Sequence, residues 1–194
     1  MPSIKRTTKE TDIDLYLQLD CPIGVKQEIT INTGIGFLDH MLDALAKHSG
    51  MSLRLSCKGD LHIDDHHTTE DVAIALGQAI KHWHSSLRNW VRSIGRGSRA
   101  LARAVVTISN RPYCSTDLKL KREMIGNLSC EMIPHIFYSF AMGAQITLHV
   151  DVLKGENDHH KSEASFKALA LALKQAIEKT GSDEVPSTKG TLSV

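Results

Sequence analysis

The chain has 194 residues, of which 41% are hydrophobic and 23% charged, with four cysteines, eleven histidines and a formal net charge of +1. This length suits one sizeable domain or two small fused halves, and the near-zero charge argues against nucleic acid or a membrane as a partner. No apolar run is long enough to span a bilayer, the polar N-terminus lacks a secretory signal, and the cysteines form no C-x-x-C pair, so we expect a reduced, cytoplasmic protein.

The first half of the chain predicts an alternation of strands and helices. Apolar residues at every second position from Ile13 to Leu19 predict a strand with one buried face, and Ile29 and Ile31 predict another. Helical spacing follows over residues 37–47, and Leu53 and Leu55 indicate a further strand. A stretch beginning at residue 64 then opens an Ala- and Ile-rich helix that extends to about residue 80.

The second half repeats this order, with strands predicted at 104–108 and 117–120, a helix over 131–142, a strand over 146–152 and a helix from 157 to about 179. Each half has a histidine in or near its first helix, His40 or His135, followed by a D-H-H-x-x-E signature. We therefore predict an α+β fold of two duplicated half-domains, each a small β-sheet packed on two helices. The half-repeats cover about residues 5–95 and 96–180 of a single domain over residues 1–194, with a C-terminal tail over 181–194.

The repeated signature has the residue types and spacing of a metal site. Residues four apart share a helix face whereas adjacent residues differ by about 100°, so His66 and Glu70 can reach one ion while His67 diverges. A single His-His pair would be more typical of a solvated helix end, but the doubled unit favours two sites for divalent transition metals. The predicted ligands are His40, His66, His67, Glu70, His135, His159, His160 and Glu163.

The aspartates beside the histidine pairs have two possible roles. Asp64, Asp65 and Asp158 could accept hydrogen bonds from the imidazole rings or cap the two helices. Three histidines outside the repeat are expected to be structural or exposed: His48, His62 and His149.

Four motifs in this order resemble the imidazoleglycerol-phosphate dehydratase family: GFLDHML at 36–42, GDLHIDDHHTTED at 59–71, GENDHH at 155–160 and PSTKG at 186–190. The resemblance covers about residues 6–192, apart from 82–99. It implies dehydration of D-erythro-imidazole glycerol phosphate to imidazole acetol phosphate in L-histidine biosynthesis. It also implies two manganese ions per active site and sites shared between subunits of a homo-24-mer.

The resemblance also implies roles for individual residues. All eight predicted metal ligands match by motif position, Glu10 matches a substrate-contacting glutamate, and Arg111 matches a phosphate-binding arginine. The leaving proton is on a carbon that is not next to a carbonyl, so a metal on the substrate imidazole would let the ring accept charge while a carboxylate moves the proton. The catalytic candidates are Glu10 and Glu163. The residues implied in the C-terminal phosphate contact are Ser187, Thr188 and Lys189.

Residues 82–99 depart from the family pattern. They contain both tryptophans, four arginines, four serines and no acidic residue, without strand alternation or a helical stripe. Reading one nucleotide later turns both tryptophan codons into glycine codons and permits the family's Gly- and Pro-containing pattern. We therefore hypothesise a local frame displacement, which the gene sequence tests. The family's first phosphate-binding arginine has no secure equivalent in this segment.

Three alternative functions remain open at this point. Paired metals beside phosphate-binding groups also suit a two-metal phosphohydrolase. The departure at 82–99 would suit a catalytically impaired homologue, or a protein that assembles around metal without turnover.

Overall fold

The two halves of the chain form separate β-sheets. The structure is a computed structural model that describes residues 3–19, 25–84, 90–96, 99–108 and 110–177, with the backbone alone described within 83–98. The first half comprises β1 (Ser3–Thr7), β2 (Thr11–Gln18), β3 (Ile29–Asn32), α1 (Gly36–Ser49), β4 (Ser52–Gly59) and α2 (His66–His84). Its sheet has the order β1-β2-β4-β3, with β3 and β4 parallel and the other pairs antiparallel.

The second half repeats this topology. It comprises β5 (Trp90–Arg96), β6 (Leu101–Thr107), β7 (Tyr113–Asp117), β8 (Met124–Ile125), β9 (Leu128–Ser129), α3 (Met132–Ala144), β10 (Thr147–Lys154) and α4 (Asp158–Ala176). The sheet order is β5-β6-β10-β7, again with one parallel pair, β7 and β10. The predicted α+β class is therefore confirmed. The β8–β9 hairpin is an addition to the second half within the described residues.

Strand β5 shifts the boundary between the half-repeats. Its backbone pairs antiparallel with β6 from Trp90 opposite Thr107 to Arg96 opposite Leu101, in the position that β1 has beside β2. A division at residues 95 and 96 would cut this strand, so the second half begins at β5. No strand was predicted in residues 82–99 because they lack an alternating pattern of their own. Strand β5 forms nevertheless, since β6 provides the edge with which its backbone pairs.

Strand β7 lies earlier in the chain than the strand predicted at 117–120. It pairs in parallel with β10 from Tyr113 opposite Thr147 to Asp117 opposite Asp151. Lys119 has a φ of 52°, which is incompatible with an extended strand. The chain therefore leaves the sheet at this residue instead of continuing the strand. The other predicted strands and helices are confirmed, with ends that differ by a few residues, and β1 and β5 were not predicted.

Helix pairing joins the two halves. Helix α1 of the first half packs on α4 of the second, and α2 of the first packs on α3 of the second. Helix α2 also covers β2, whose Ile13, Leu15 and Leu17 are fully buried, while α4 covers β5 and β6. Burial of these apolar faces is the main favourable term in such a fold. Within the described ranges, none of the helices is long and apolar enough to cross a membrane.

Two glycines permit the close approach of α2 and α3. A Cβ atom at Gly77 would lie 2.4 Å from the Phe140 carbonyl oxygen and 2.7 Å from the Ala144 nitrogen. A Cβ atom at Gly143 would lie 2.6 Å from the Ile74 carbonyl oxygen. These neighbours are backbone atoms of the facing helix, so either helix would have to move to accept a side chain.

We expect Gly77→Ala to lower the free energy of unfolding by about 1–2 kcal/mol. Alanine gains about 1 kcal/mol in helix propensity, but overpacking against backbone costs about 2–3 kcal/mol. Urea unfolding of the metal-free chain measures the change. Gly36→Ala is the matched control, because its Cβ would meet only the Asn127 Oδ1 atom at 4.0 Å. Equal stability of Gly77→Ala and the wild type would contradict the close helix contact.

Candidate metal centres

The first cluster joins the start of α2 to α3. His66 Nε2 lies 3.1 Å from Glu70 Oε2, and His135 Nε2 lies 3.3 Å from the same oxygen. One possible ligand atom from each of these three residues lies within 4.8 Å of the others. The His135 Nε2 atom is buried and has no hydrogen-bond partner, because its approach to Glu70 lacks hydrogen-bond geometry. An unpartnered imidazole nitrogen beside a carboxylate suits a divalent cation.

The second cluster has the same arrangement with the halves exchanged. The rings of His40 on α1 and His159 on α4 have centroids 5.5 Å apart at 42°, compared with 5.2 Å and 42° for His66 and His135. Glu163 lies one turn after His159 on α4, as Glu70 lies one turn after His66 on α2. Each cluster therefore takes a His–Glu pair from one half and a single histidine from the other.

Glu163 differs from Glu70 in its closest partner. The ammonium of Lys167 lies 2.6 Å from Glu163 Oε1, and both side chains are 19% exposed. The hydrogen bond from Lys167 lowers the pKa of Glu163, and the positive potential of Lys167, His40 and His159 acts in the same direction. The Glu163 side chain is thus held as a carboxylate, the form that coordinates metal.

The two histidines of each adjacent pair have nearly perpendicular rings. The rings of His66 and His67 stand at 79° to each other, and so do the rings of His159 and His160. This geometry agrees with the predicted divergence of adjacent residues. The Nδ1 atom of His160 is buried without a hydrogen-bond partner.

Asp60 contacts the ring of His67 and was missed by the sequence analysis. Its Oδ2 atom lies 2.9 Å from His67 Nδ1, and this hydrogen bond raises the pKa of His67 above its ordinary value. The contact leaves Nε2 of His67 to face outward, 3.9 Å from Glu10 Oε1. The signal was present in the sequence, since Asp60 is the second residue of the second family motif, but no spacing rule connects it with His67.

We expect Asp60→Asn to weaken divalent-metal binding at the predicted ligand His67 by about 10- to 100-fold, the usual effect of losing a carboxylate that orients a ligand histidine. Isothermal titration of the metal-free chain with Mn²⁺ measures it. Asp12→Asn is the control, because Asp12 is exposed and accepts a hydrogen bond only from the Thr7 hydroxyl among its described contacts. Unchanged affinity in Asp60→Asn would show that the contact does not orient His67.

The three aspartates at the helix starts bind backbone and not imidazole. Asp64 accepts a hydrogen bond from the His66 backbone nitrogen (2.8 Å), and Asp65 accepts from the Ser129 backbone nitrogen (2.5 Å). Asp158 accepts from the backbone nitrogens of Lys121 and Arg122, at 2.8 and 2.7 Å. Of the two predicted roles, capping applies to Asp64, whereas Asp65 and Asp158 bind the segment before α3 and Asn157 caps α4. None of the three aspartates makes a hydrogen bond to an imidazole ring among the described residues.

These contacts define a bridging segment, residues 118–130, that joins three helix N-termini. It contacts α2 through Asp65 and α4 through Asp158. It also contacts α1, because Asn127 Oδ1 accepts a hydrogen bond from the Gly36 nitrogen (3.1 Å) and its Nδ2 donates to the Gly34 carbonyl (3.3 Å). Since α3 begins directly after it, the segment contacts or adjoins the start of each of the four ligand-bearing helices.

The remaining predicted site residues lie apart from the two clusters or outside the described residues. Glu10 is exposed in the turn between β1 and β2, facing His67. Arg111 is exposed before β7, where its carbonyl accepts a hydrogen bond from the Thr147 hydroxyl (2.9 Å). Ser187, Thr188 and Lys189 lie outside the described residues.

The fold and its clusters define a class: duplicated α+β proteins with a histidine–carboxylate group that could hold a metal ion, and a second cluster of the same residue types. A sequence model of the imidazoleglycerol-phosphate dehydratase family matches residues 33–173. A relative from Lachancea kluyveri with that name is 62% identical over 213 residues, covering 97% of this chain and 91% of its own length. Its namesake from Phaffia rhodozyma is 56% identical over 195 residues, covering 98% and 95%.

Solved structures agree with the sequence relatives. The imidazoleglycerol-phosphate dehydratase of Staphylococcus aureus matches with a TM-score of 0.78 and 34% identity, covering 92% of this chain and 98% of that one. A crystal structure of the Pyrococcus furiosus protein, in complex with (S)-C348, matches with a TM-score of 0.83 and 35% identity, covering 97% and 100%. The chain belongs to the imidazoleglycerol-phosphate dehydratase family, and it is a hydro-lyase of histidine biosynthesis.

Proposed function

We propose that the chain dehydrates D-erythro-imidazole glycerol phosphate to imidazole acetol phosphate and requires a divalent metal to do so. The observation that carries this proposal is the pair of clusters. Each combines an i, i+4 His–Glu pair from one half with a histidine from the other, and their rings have nearly the same separation and angle. Two sites built to the same plan on surface-facing helices favour a shared chemical role over incidental histidines.

The residues present fit a metal. Imidazole nitrogens with one carboxylate suit a divalent transition ion, and the orphaned Nε2 of His135 is a nitrogen that such an ion would satisfy. His66, Glu70 and His135 would hold one ion, while His40, His159 and Glu163 would hold the other. We propose manganese, two ions per active site, as the family resemblance implies. When bound, the metal would act as a Lewis acid on the substrate imidazole.

The chain's own groups would bind the substrate and move its protons. Glu10 is exposed and lies 3.9 Å from His67 Nε2, so its carboxylate faces the region of a ligand histidine and can accept or return a proton there. Glu163, held ionised by Lys167, is the second catalytic candidate. Arg111 offers a planar fork for phosphate, and the tail residues Ser187, Thr188 and Lys189 would add further phosphate contacts.

We further propose that each metal site is completed by a neighbouring chain. Each cluster supplies three ligands, while the rings of His67 and His160 stand nearly perpendicular to those of His66 and His159, and the buried Nδ1 of His160 has no hydrogen-bond partner. A second copy can offer these histidines to the open side of each site. This arrangement suits the homo-24-mer of the family resemblance, working in the cytoplasm on a small phosphate-bearing substrate.

Turnover of imidazole glycerol phosphate by the purified chain tests the proposal. The chain is stripped with a chelator, Mn²⁺ is added back, and formation of imidazole acetol phosphate and release of inorganic phosphate are measured in parallel. Ketone formation that needs added Mn²⁺ supports the proposal. Manganese-dependent phosphate release without ketone would instead establish the phosphohydrolase alternative, and ketone formation independent of metal would contradict the metal role.

The departure at residues 82–99 keeps an impaired homologue as the second candidate. The backbone of Trp90–Arg96 still forms the edge strand of the second sheet, so the fold accommodates these seven residues of the stretch. A chain that binds Mn²⁺ but forms no product would favour impairment, or assembly around metal without catalysis. Sequencing the gene across 82–99 would test the proposed frame displacement separately, since its codons either permit or forbid the shifted reading.

A further inference from the structure

We propose that Lys167 is a latch on the second metal site, so that the two sites of one chain fill in order. The site of His66, Glu70 and His135 fills first, and the site of His40, His159 and Glu163 fills second because Lys167 competes with the ion for Glu163. The inference rests on the metal-dependent function proposed above and extends it to the order of metal binding.

The latch depends on one position at which the two half-repeats carry different residues. Aligning the two H-H-x-x-E units places Ile74, four residues after Glu70, opposite Lys167, four residues after Glu163. Ile74 carries no charge, and its backbone packs against Gly143 at the α2–α3 crossing. At the same position on α4, an ammonium lies one turn from the ligand carboxylate, the spacing at which helical side chains meet.

The carboxylates of Glu70 and Glu163 therefore contact different groups in the metal-free chain. Glu70 Oε2 is already within 3.1 Å of His66 Nε2 and 3.3 Å of His135 Nε2, the two nitrogens that would share its ion. Glu163 Oε1 is 2.6 Å from the Lys167 ammonium. Only the first set brings its three ligand atoms within 4.8 Å of one another among the described residues.

Limited solvent makes the contact with Lys167 effective. Both members of the Glu163–Lys167 pair are 19% exposed, in contrast to Glu70 at 35%. Charge-assisted hydrogen bonds are strong when water is restricted. An ion entering the second site competes with this ammonium for the Glu163 carboxylate, whereas the contacts of Glu70 among the described residues are with imidazoles.

Titration of the metal-free chain with Mn²⁺, following the electron paramagnetic resonance signal of the free ion, tests the order. Wild type should bind two ions per chain in two steps. Glu70→Gln should abolish the tighter step, and Glu163→Gln should abolish the weaker one. Loss of the tighter step in Glu163→Gln, or one indistinguishable step in wild type, would overturn the proposed order.

Removing the lysine tests the latch itself. Lys167→Met should tighten the second step by about fivefold or more, the effect of an ion pair at a partly buried position, and leave the first unchanged. Lys167→Arg, which keeps the charge and the pairing, should retain both steps. Lys174→Met is the control for net charge, because Lys174 is exposed further along α4.

The outcomes separate the latch from the function on which it rests. A second step unchanged in Lys167→Met, or shifted equally in Lys174→Met, would refute the latch while leaving a two-metal enzyme intact. Absence of Mn²⁺ binding in wild type would refute the latch and the proposed metal dependence together.

Discussion

Glu70→Gln is expected to lower kcat for imidazole glycerol phosphate by more than about 100-fold at saturating Mn²⁺. Groups that only orient metal ligands are worth about 10- to 100-fold, and a group in the ligand set itself should exceed that range. Glu70 supplies the only carboxylate of the first cluster, within reach of both His66 and His135. Glutamine keeps the size of the side chain but removes the anionic charge that offsets the cation.

Stability measurements separate this loss from unfolding. Glu70 is 35% exposed, so the melting temperature of the chelator-treated variant should stay close to that of wild type. Glu28→Gln provides the matched control, because Glu28 is 63% exposed and its Arg54 partner is 4.0 Å away. Near-normal turnover by Glu70→Gln with Mn²⁺ present would remove the first cluster from the proposed mechanism.

Asp158→Ala is expected to lower the free energy of unfolding by about 3–5 kcal/mol, the range for removing one partner of a buried ion pair. Asp158 and Lys161 are each 2% exposed, with Asp158 Oδ1 2.8 Å from Lys161 Nζ. Truncation of Asp158 leaves the buried Lys161 ammonium without its carboxylate partner, although the Lys119 carbonyl still accepts a hydrogen bond from it at 2.6 Å. It also leaves two backbone N–H groups of the bridging segment without their acceptor.

A double-mutant cycle with Lys161→Met isolates the pair, and urea unfolding supplies the energies. The double variant should be more stable than the sum of the single losses predicts, by about 0.5–3 kcal/mol. Asp151→Ala is the control, since Asp151 pairs with Arg103 on a face where both side chains are about a third exposed. That loss should be under about 1 kcal/mol. Additive losses at Asp158 and Lys161 would argue against coupling.

The stabilisation from Asp158 should also depend on pH. Burial pushes the pKa of Asp158 up, but hydrogen bonds from Lys161 and from the backbone of Lys121 and Arg122 outweigh it and hold the pKa below its ordinary value. A depressed folded pKa means that the stabilisation is present above the unfolded pKa of about 3.9 and is lost as pH falls through the lower folded value. The stability difference between wild type and Asp158→Ala should therefore be constant near neutral pH and narrow below about pH 4.

Periodicity and repetition were sufficient to predict the α+β class. The period-two pattern from Ile13 to Leu19 gave β2, and the helical spacing after Gly36 gave α1, because each element buries one face. The edge strands β1 and β5 were missed. An edge strand is held by hydrogen bonds to one neighbour, and its own pattern need not reveal it.

The sequence by itself determined the ligand types and their local geometry. The four-residue spacing of His66 and Glu70 places them on one helix face, and the repeated signature places His159 and Glu163 in the same way. Only the tertiary structure decided which histidine joins which pair, because α1 packs on α4 and α2 on α3 across the two halves. It alone placed Asp60 against His67. The contact of Lys167 with Glu163, by contrast, follows from their four-residue spacing on α4. Spacing rules act along one helix, whereas the composition of these sites depends on which helices the buried apolar faces bring together.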